Sequence, residues 1–128
     1  MPISLHWTVL GKNKNFLYRE VALVKEISPR ELQVLLDSGQ EYMLLDVRQP
    51  WEFKICQLPN SINISLNDLD KSVAQLPDEK EIVTICHHGV RSKQAAILLE
   101  QCGYTKVMSL QGGIDAWARD INPTMERY

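Results

Sequence analysis

Residues 81–92 read EIVTICHHGVRS, a short apolar run followed by a polar loop and the opening of a helix. Ile82, Val83 and Ile85 are β-branched and almost consecutive, as a strand covered on both faces requires. Cys86 stands where that run stops. His87, His88, Gly89, Val90 and Arg91 form the loop, and from Ser92 onward Ala95, Leu98, Leu99 and Cys102 recur at helical spacing. A cysteine therefore sits at the carboxyl end of a central strand, which is where open α/β sheets bind ligands. Loop N–H groups can converge on an anion there, and the dipole of the following helix adds positive potential. The pattern predicts a stabilised anionic sulfur at Cys86. The competing expectation is a buried cysteine that only packs, the commoner fate of a free thiol.

The flanking sequence supplies the rest of the sheet. Met43–Val47 (MLLDV) predicts a second strand ending near Asp46. Ahead of it, Ser28-Pro29-Arg30-Glu31 predicts a helix start, with Ser28 as cap, Pro29 in the first turn and Glu31 closing a capping box. Leu32, Leu35 and Leu36 make its inward stripe and Gly39 its stop. Val21–Ile27 has the apolar content of a strand, and Pro50 opens a short helix through Trp51, Glu52 and Phe53. Ser61–Ile64 reads as a short strand, and Ser65 with Asp68 as the start of a helix running towards Leu76. Gly103 stops the helix after the loop, and Lys106–Leu110 is the last strand. Ile114, Trp117 and Ala118 give one apolar face to a final helix. Strands alternating with helices predict an α/β fold of about five strands, mainly parallel, with helices on both faces. Residues 21–119 form this domain. Residues 1–20 are an extension, either a β-hairpin (Leu5, Trp7 and Val9, then Phe16 and Tyr18, around GKNKN) or loosely ordered, and residues 120–128 are a polar tail.

A length of 128 residues suits one domain with a core that needs no staples. A net charge of −2 gives no reason to expect nucleic acid or an anionic membrane as partner. No apolar run approaches the roughly 18 residues of a membrane span, and MPISLHWTVLGKNKN lacks the order of a signal peptide. Three cysteines without paired spacing suit free thiols in a reducing cytoplasm.

Three stretches in order, LLDVR (44–48) with WEF (51–53), CHHGVRS (86–92) and LQGGIDAW (110–117), together resemble the single-domain rhodaneses, a sulfurtransferase family. The resemblance covers roughly Val24–Ala118 and implies the rhodanese-like fold, a five-stranded parallel sheet flanked by helices. It implies that Cys86 is the nucleophile. As a thiolate it would take the outer sulfur of a small sulfur-containing anion such as thiosulfate, hold it as a persulfide, and yield it to cyanide, a thiol or a protein acceptor. Neither cofactor nor metal is implied. The loop His87, His88, Gly89, Val90, Arg91 and Ser92 would bind the persulfide, with Gly89 letting the backbone turn closely. Arg91 either orients the donor or holds the loop.

Asp46, Arg48 and Glu52 match the family's Asp-Val-Arg and its following acid, as supporting residues. Either Asp46 faces the loop and pairs with Arg91, or the three form an ion-pair network beside the site. Either one of His87 and His88 makes the mouth more positive near neutral pH or hydrogen-bonds the donor, or both are solvated loop side chains. With Cys86 they make a poor zinc set, because adjacent ligands lack a second pair. Gly112 and Gly113 set a tight strand-to-helix turn, Trp117 is core, Cys102 is inert, and Cys56 is either a packing residue or a second thiol. The chain departs from the family at residues 56–61, where CQLPNS replaces the frequent Gly-His-Ile-Pro-Gly-Ala and no histidine is present. Phosphatases of the same fold place five residues between cysteine and arginine. Here there are four, His87 to Val90, a cradle better sized for sulfur than for phosphate. The alternative from another class is a non-catalytic module that binds a partner, against which the intact loop around Cys86 weighs.

Overall fold

Ser28 caps the helix that follows it, as its sequence requires. Its hydroxyl accepts from the Glu31 N–H at 3.2 Å, and the Glu31 carboxylate accepts from the Ser28 N–H at 3.3 Å. A reciprocal cap of this kind contributes about 1 kcal/mol. In this computed structural model, which describes residues 23–77 and 81–128, the helix is α1 (Pro29–Asp37). Gly39 follows it at φ +85°, the left-handed conformation that ends a helix without a Cβ clash. Residues 1–20, and with them the expectation of a hairpin, lie outside the described residues.

The described strands are β1 (Glu26–Ile27), β2 (Tyr42–Asp46), β3 (Ile62–Asn63), β4 (Glu81–Ile85) and β5 (Val107–Leu110). They form a five-stranded sheet in the order β1-β5-β4-β2-β3, with every pair parallel. The helices after α1 are α2 (Pro50–Ile55), α3 (Leu66–Ser72), α4 (Val90–Gln101) and α5 (Gly113–Asp120), with a 3-10 turn over Val73–Gln75. Alternation along the strands separates two cores. Met43, Leu45, Ile82 and Val107 pack with Leu69 of α3 and with Ala95 and Leu99 of α4. Leu44, Val83, Ile85 and Met108 pack on the other face with Leu32 of α1 and with Ile114 and Trp117 of α5. Helices therefore cover both faces, and β4 is central and buried from Ile82 to Ile85, as its apolar run predicts.

Several boundaries differ from the sequence reading. Within Val21–Ile27 the described strand is only Glu26–Ile27, and Ser61–Ile64 narrows to Ile62–Asn63. The helix expected to reach Leu76 ends at Ser72 and tightens into the 3-10 turn. The helix after the loop starts at Val90 rather than Ser92, because Gly89 at φ +103° turns the chain directly into it.

The strand order also places the site. From β2 the chain moves outward to β3, and from β4 it moves the opposite way to β5. The crevice between the carboxyl ends of β2 and β4 is a topological switch point, and Asp46 and Cys86 stand at its two sides.

Candidate active site

Cys86 follows β4 and is 1% exposed. Its Sγ accepts the Gly89 N–H at 3.0 Å and lies 3.4 Å from Ser92 Oγ. Ser92 is braced in turn, since its Oγ lies 2.7 Å from Ser109 Oγ and its carbonyl accepts from Thr84 Oγ1 at 2.7 Å. The loop's carbonyls point the other way. Those of Cys86 and His87 accept the Ile114 and Asp115 N–H groups, at 2.8 and 3.1 Å, in the first turn of α5. The N-terminus of α5 thus takes up the loop's acceptors and leaves a donor facing the sulfur. This explains LQGGIDAW beyond a tight turn. Gly113 has φ +64°, and a Cβ there would fall onto the carbonyls of Cys86 and His87. Cys86 Sγ thus meets a backbone donor at the amino end of α4.

Two ion pairs flank the loop, and they follow the ion-pair alternative for Asp46, Arg48 and Glu52 rather than an Asp46–Arg91 pair. Asp46 binds Arg48, with Nε at 2.9 Å and Nη2 at 2.7 Å from the carboxylate, both side chains fully buried. Arg91 binds Glu52 through both terminal nitrogens, at 2.7 and 2.9 Å. Asp46 is thus committed to Arg48 two residues on, whereas Glu52 in the first turn of α2 faces the loop. Arg48 also donates to the carbonyls of Glu52 at 3.2 Å and Cys56 at 2.6 Å, fixing the chain after α2. Cys56 is buried in the core with its sulfur 3.9 Å from Arg48 Nη1, in keeping with packing. Cys102 caps the end of α4, half-buried, and its thiol is pushed up by burial.

The residue shared between the two pairs is Tyr128, in the polar segment after α5. The Tyr128 hydroxyl accepts from Arg48 Nη1 at 3.0 Å and donates to Glu52 Oε1 at 2.9 Å. Its ring stacks on His87 at 3.9 Å and 8°, and His87 stacks on His88 at 3.9 Å. Arg127 anchors the same segment by pairing with Asp115 at 2.9 Å. The only sequence signal was an aromatic residue closing an otherwise polar segment. His87 is half-buried in this stack, and burial together with His88 holds its pKa below the ordinary imidazole value. His88 is exposed. His87, His88 and Asp115 bring ligand atoms within 4.8 Å of one another, but the Asp115 carboxylate is occupied by Arg127. A cavity of about 500 Å³ lined by Leu36, Tyr42, Leu58 and Trp117 includes no residue of the loop and no cysteine.

Charge distribution follows these contacts. Hydrogen bonds from Arg91 lower the Glu52 carboxyl to about 2, against a burial penalty and with help from the Gln49 N–H and Tyr128. Burial opposes the Arg48 charge, yet Asp46 and Tyr128 more than offset it and raise its pKa. Burial pushes the Tyr128 phenol up to about 12, so it remains a donor to Glu52. Because Glu52 titrates lower folded than at its ordinary 4.5, its stabilisation is complete above about pH 4.5 and is lost as pH falls towards about 2. Denaturant unfolding should show this decline across that window, flattened in Glu52→Gln. Equal slopes in both proteins would remove the Glu52–Arg91 pair from the stability of the fold.

The family model of the Rhodanese-like domain matches residues 28–120. The chain is 39% identical over 104 residues to the probable adenylyltransferase/sulfurtransferase MoeZ of Mycobacterium tuberculosis, covering 80% of this chain and 26% of MoeZ. It thus spans about a quarter of that relative's length. A sulfurtransferase of Allochromatium vinosum is 33% identical over 97 residues, covering 76% of this chain and 91% of the relative. The crystal structure of a rhodanese-related protein from Thermoplasma volcanium superimposes with a TM-score of 0.70 at 32% identity, covering 77% of this chain and 95% of that one.

Proposed function

This chain belongs to the rhodanese-like domain family, and we propose that it is a sulfurtransferase carrying sulfur as a persulfide on Cys86. The thiolate attacks the outer sulfur of a small anionic donor such as thiosulfate. The donor's S–S bond breaks and sulfite leaves with the electron pair. An acceptor, whether cyanide, a small thiol or a protein thiol, then attacks the terminal sulfur, and Cys86 departs as the thiolate. The observation that carries this reading is the Gly89 N–H at 3.0 Å from Sγ, in a loop whose carbonyls are engaged by α5. Hydrogen bonds to the charged sulfur favour both the attacking thiolate and the persulfide anion. Both terminal nitrogens of Arg91 bind Glu52, which favours a role in holding the loop over one in gripping the donor. Three free thiols among the described residues accord with a reducing, cytoplasmic setting, and no described helix is long and apolar enough to cross a membrane.

Incubation with thiosulfate should add one sulfur atom to the Cys86 peptide by mass spectrometry, and cyanide should remove it as thiocyanate. Absence of the added sulfur would overturn the enzymatic reading in favour of a partner-binding module.

A further inference from the structure

We propose that Tyr128 is a specificity-determining residue of this site, one that keeps the way to Cys86 narrow and so favours small reactants over bulky thiols. The inference rests on the sulfur-transfer reading for the identity of those reactants. A persulfide on Cys86 must be reached by an incoming nucleophile, yet Cys86 is 1% exposed. One wall beside the loop is built by the segment Glu126–Tyr128. The Tyr128 ring lies flat on His87, the residue next to the nucleophile, and presents its face edgewise to Trp51 at 5.9 Å and 70°. The gap enclosed by His87, Cys56, Ile114, Asp115, Glu126 and Tyr128 has no room for a water molecule.

This wall is closed, and apart from Met125 it is held by polar and ring contacts rather than by the core. Met125 packs against the core and accounts for the anchoring of the segment. Beyond it stand the two hydrogen bonds of the Tyr128 hydroxyl, a hydrogen bond between the Tyr128 backbone and His87, the ring contacts with His87 and Trp51 and the Arg127–Asp115 pair. That pair is half-exposed, a class that contributes about 0–1 kcal/mol. Tyr128 itself belongs to neither apolar cluster, so its departure leaves both cores packed. While it is seated, a compact nucleophile such as cyanide has an advantage over a thiol carried on a large group. Once it leaves, the space beside His87, the residue next to the nucleophile, opens to larger acceptors. The hydroxyl and the ring do separable work: the hydroxyl ties the segment to Arg48 and Glu52, and the ring fills the space.

Tyr128→Ala removes both, and Tyr128→Phe removes only the hydroxyl. The first readout is alkylation of the Cys86 peptide by iodoacetamide and by N-phenylmaleimide, which needs no sulfur transfer. The rate ratio of bulky to small reagent should rise at least about fivefold in Tyr128→Ala and by less in Tyr128→Phe. The second readout is kcat/KM for glutathione relative to cyanide, which should shift towards glutathione in the same order. A bulky-to-small alkylation ratio in Tyr128→Ala within about twofold of the unmodified chain overturns the inference. So does a raised alkylation ratio with an unchanged acceptor preference. If the unmodified chain takes up no sulfur from thiosulfate, the sulfur-transfer reading falls instead, and the alkylation ratio still decides whether Tyr128 controls access.

Discussion

Cys86→Ser is expected to take up no sulfur and to lose thiosulfate:cyanide turnover by at least about a thousandfold, equivalent to roughly 4 kcal/mol of barrier. A serine hydroxyl is a poor nucleophile towards sulfane sulfur at neutral pH, and no persulfide can form on oxygen. The fold should hardly change. Serine is close to isosteric, and the Gly89 N–H and Ser92 Oγ that surround Sγ at 3.0 and 3.4 Å can both bond an oxygen. Stability should remain within about 1.5 kcal/mol of the unmodified chain by denaturant unfolding. Loss of turnover with an unchanged unfolding midpoint assigns the chemistry to this sulfur. Turnover that survives the substitution would place the nucleophile elsewhere.

Gly113→Ala is expected to damage both stability and activity although the residue lies outside the loop. The backbone there has φ +64°, and the added Cβ would meet the carbonyls of Cys86 and His87. The left-handed conformation alone costs about 1–2 kcal/mol for a residue with a Cβ. The collision adds to it, because carbonyls held by the first turn of α5 cannot retreat without breaking the Ile114 and Asp115 hydrogen bonds. A total loss of at least about 2 kcal/mol follows. Displacement of the loop by about 1 Å is enough to cost a hundredfold in rate. Gly103→Ala is the matched control, with φ +101° and open space within 4 Å of its would-be Cβ. It should show the conformational cost and keep its sulfur transfer per folded molecule. Equal activity in the two variants would mean that α5 does not hold the loop in its working shape.

The local chemistry of this chain was legible in its sequence. Ser28, Pro29 and Glu31 encode a helix start that needs nothing beyond four residues, and the capping box forms as they require. The β-branched run Ile82–Ile85 encodes a strand buried on both faces, and β4 is the central strand of a wholly parallel five-stranded sheet. Cys86 at the end of that strand, and the glycine three residues later that turns its N–H onto the sulfur, were readable for the same reason: strand, loop and helix are contiguous.

Pairings between distant segments were not. Which acid meets Arg91 depends on where α2 lies against the loop, a contact across 39 residues of chain, and it is Glu52 rather than Asp46. Gly113 touches the carbonyls of Cys86 and His87 only because β5 lies beside β4 and carries the next helix over the loop. Tyr128 stands farthest from local inference, joined to Arg48 across 80 residues and to Glu52 across 76. A phenol in a polar segment has no periodicity to betray its place. The sequence by itself determined the strand–loop–helix that presents a sulfur to backbone donors. The tertiary structure alone decided which charges, which helix end and which aromatic ring surround it, because hydrogen bonds and ring stacks depend on distances that separated segments acquire only when the sheet brings them together.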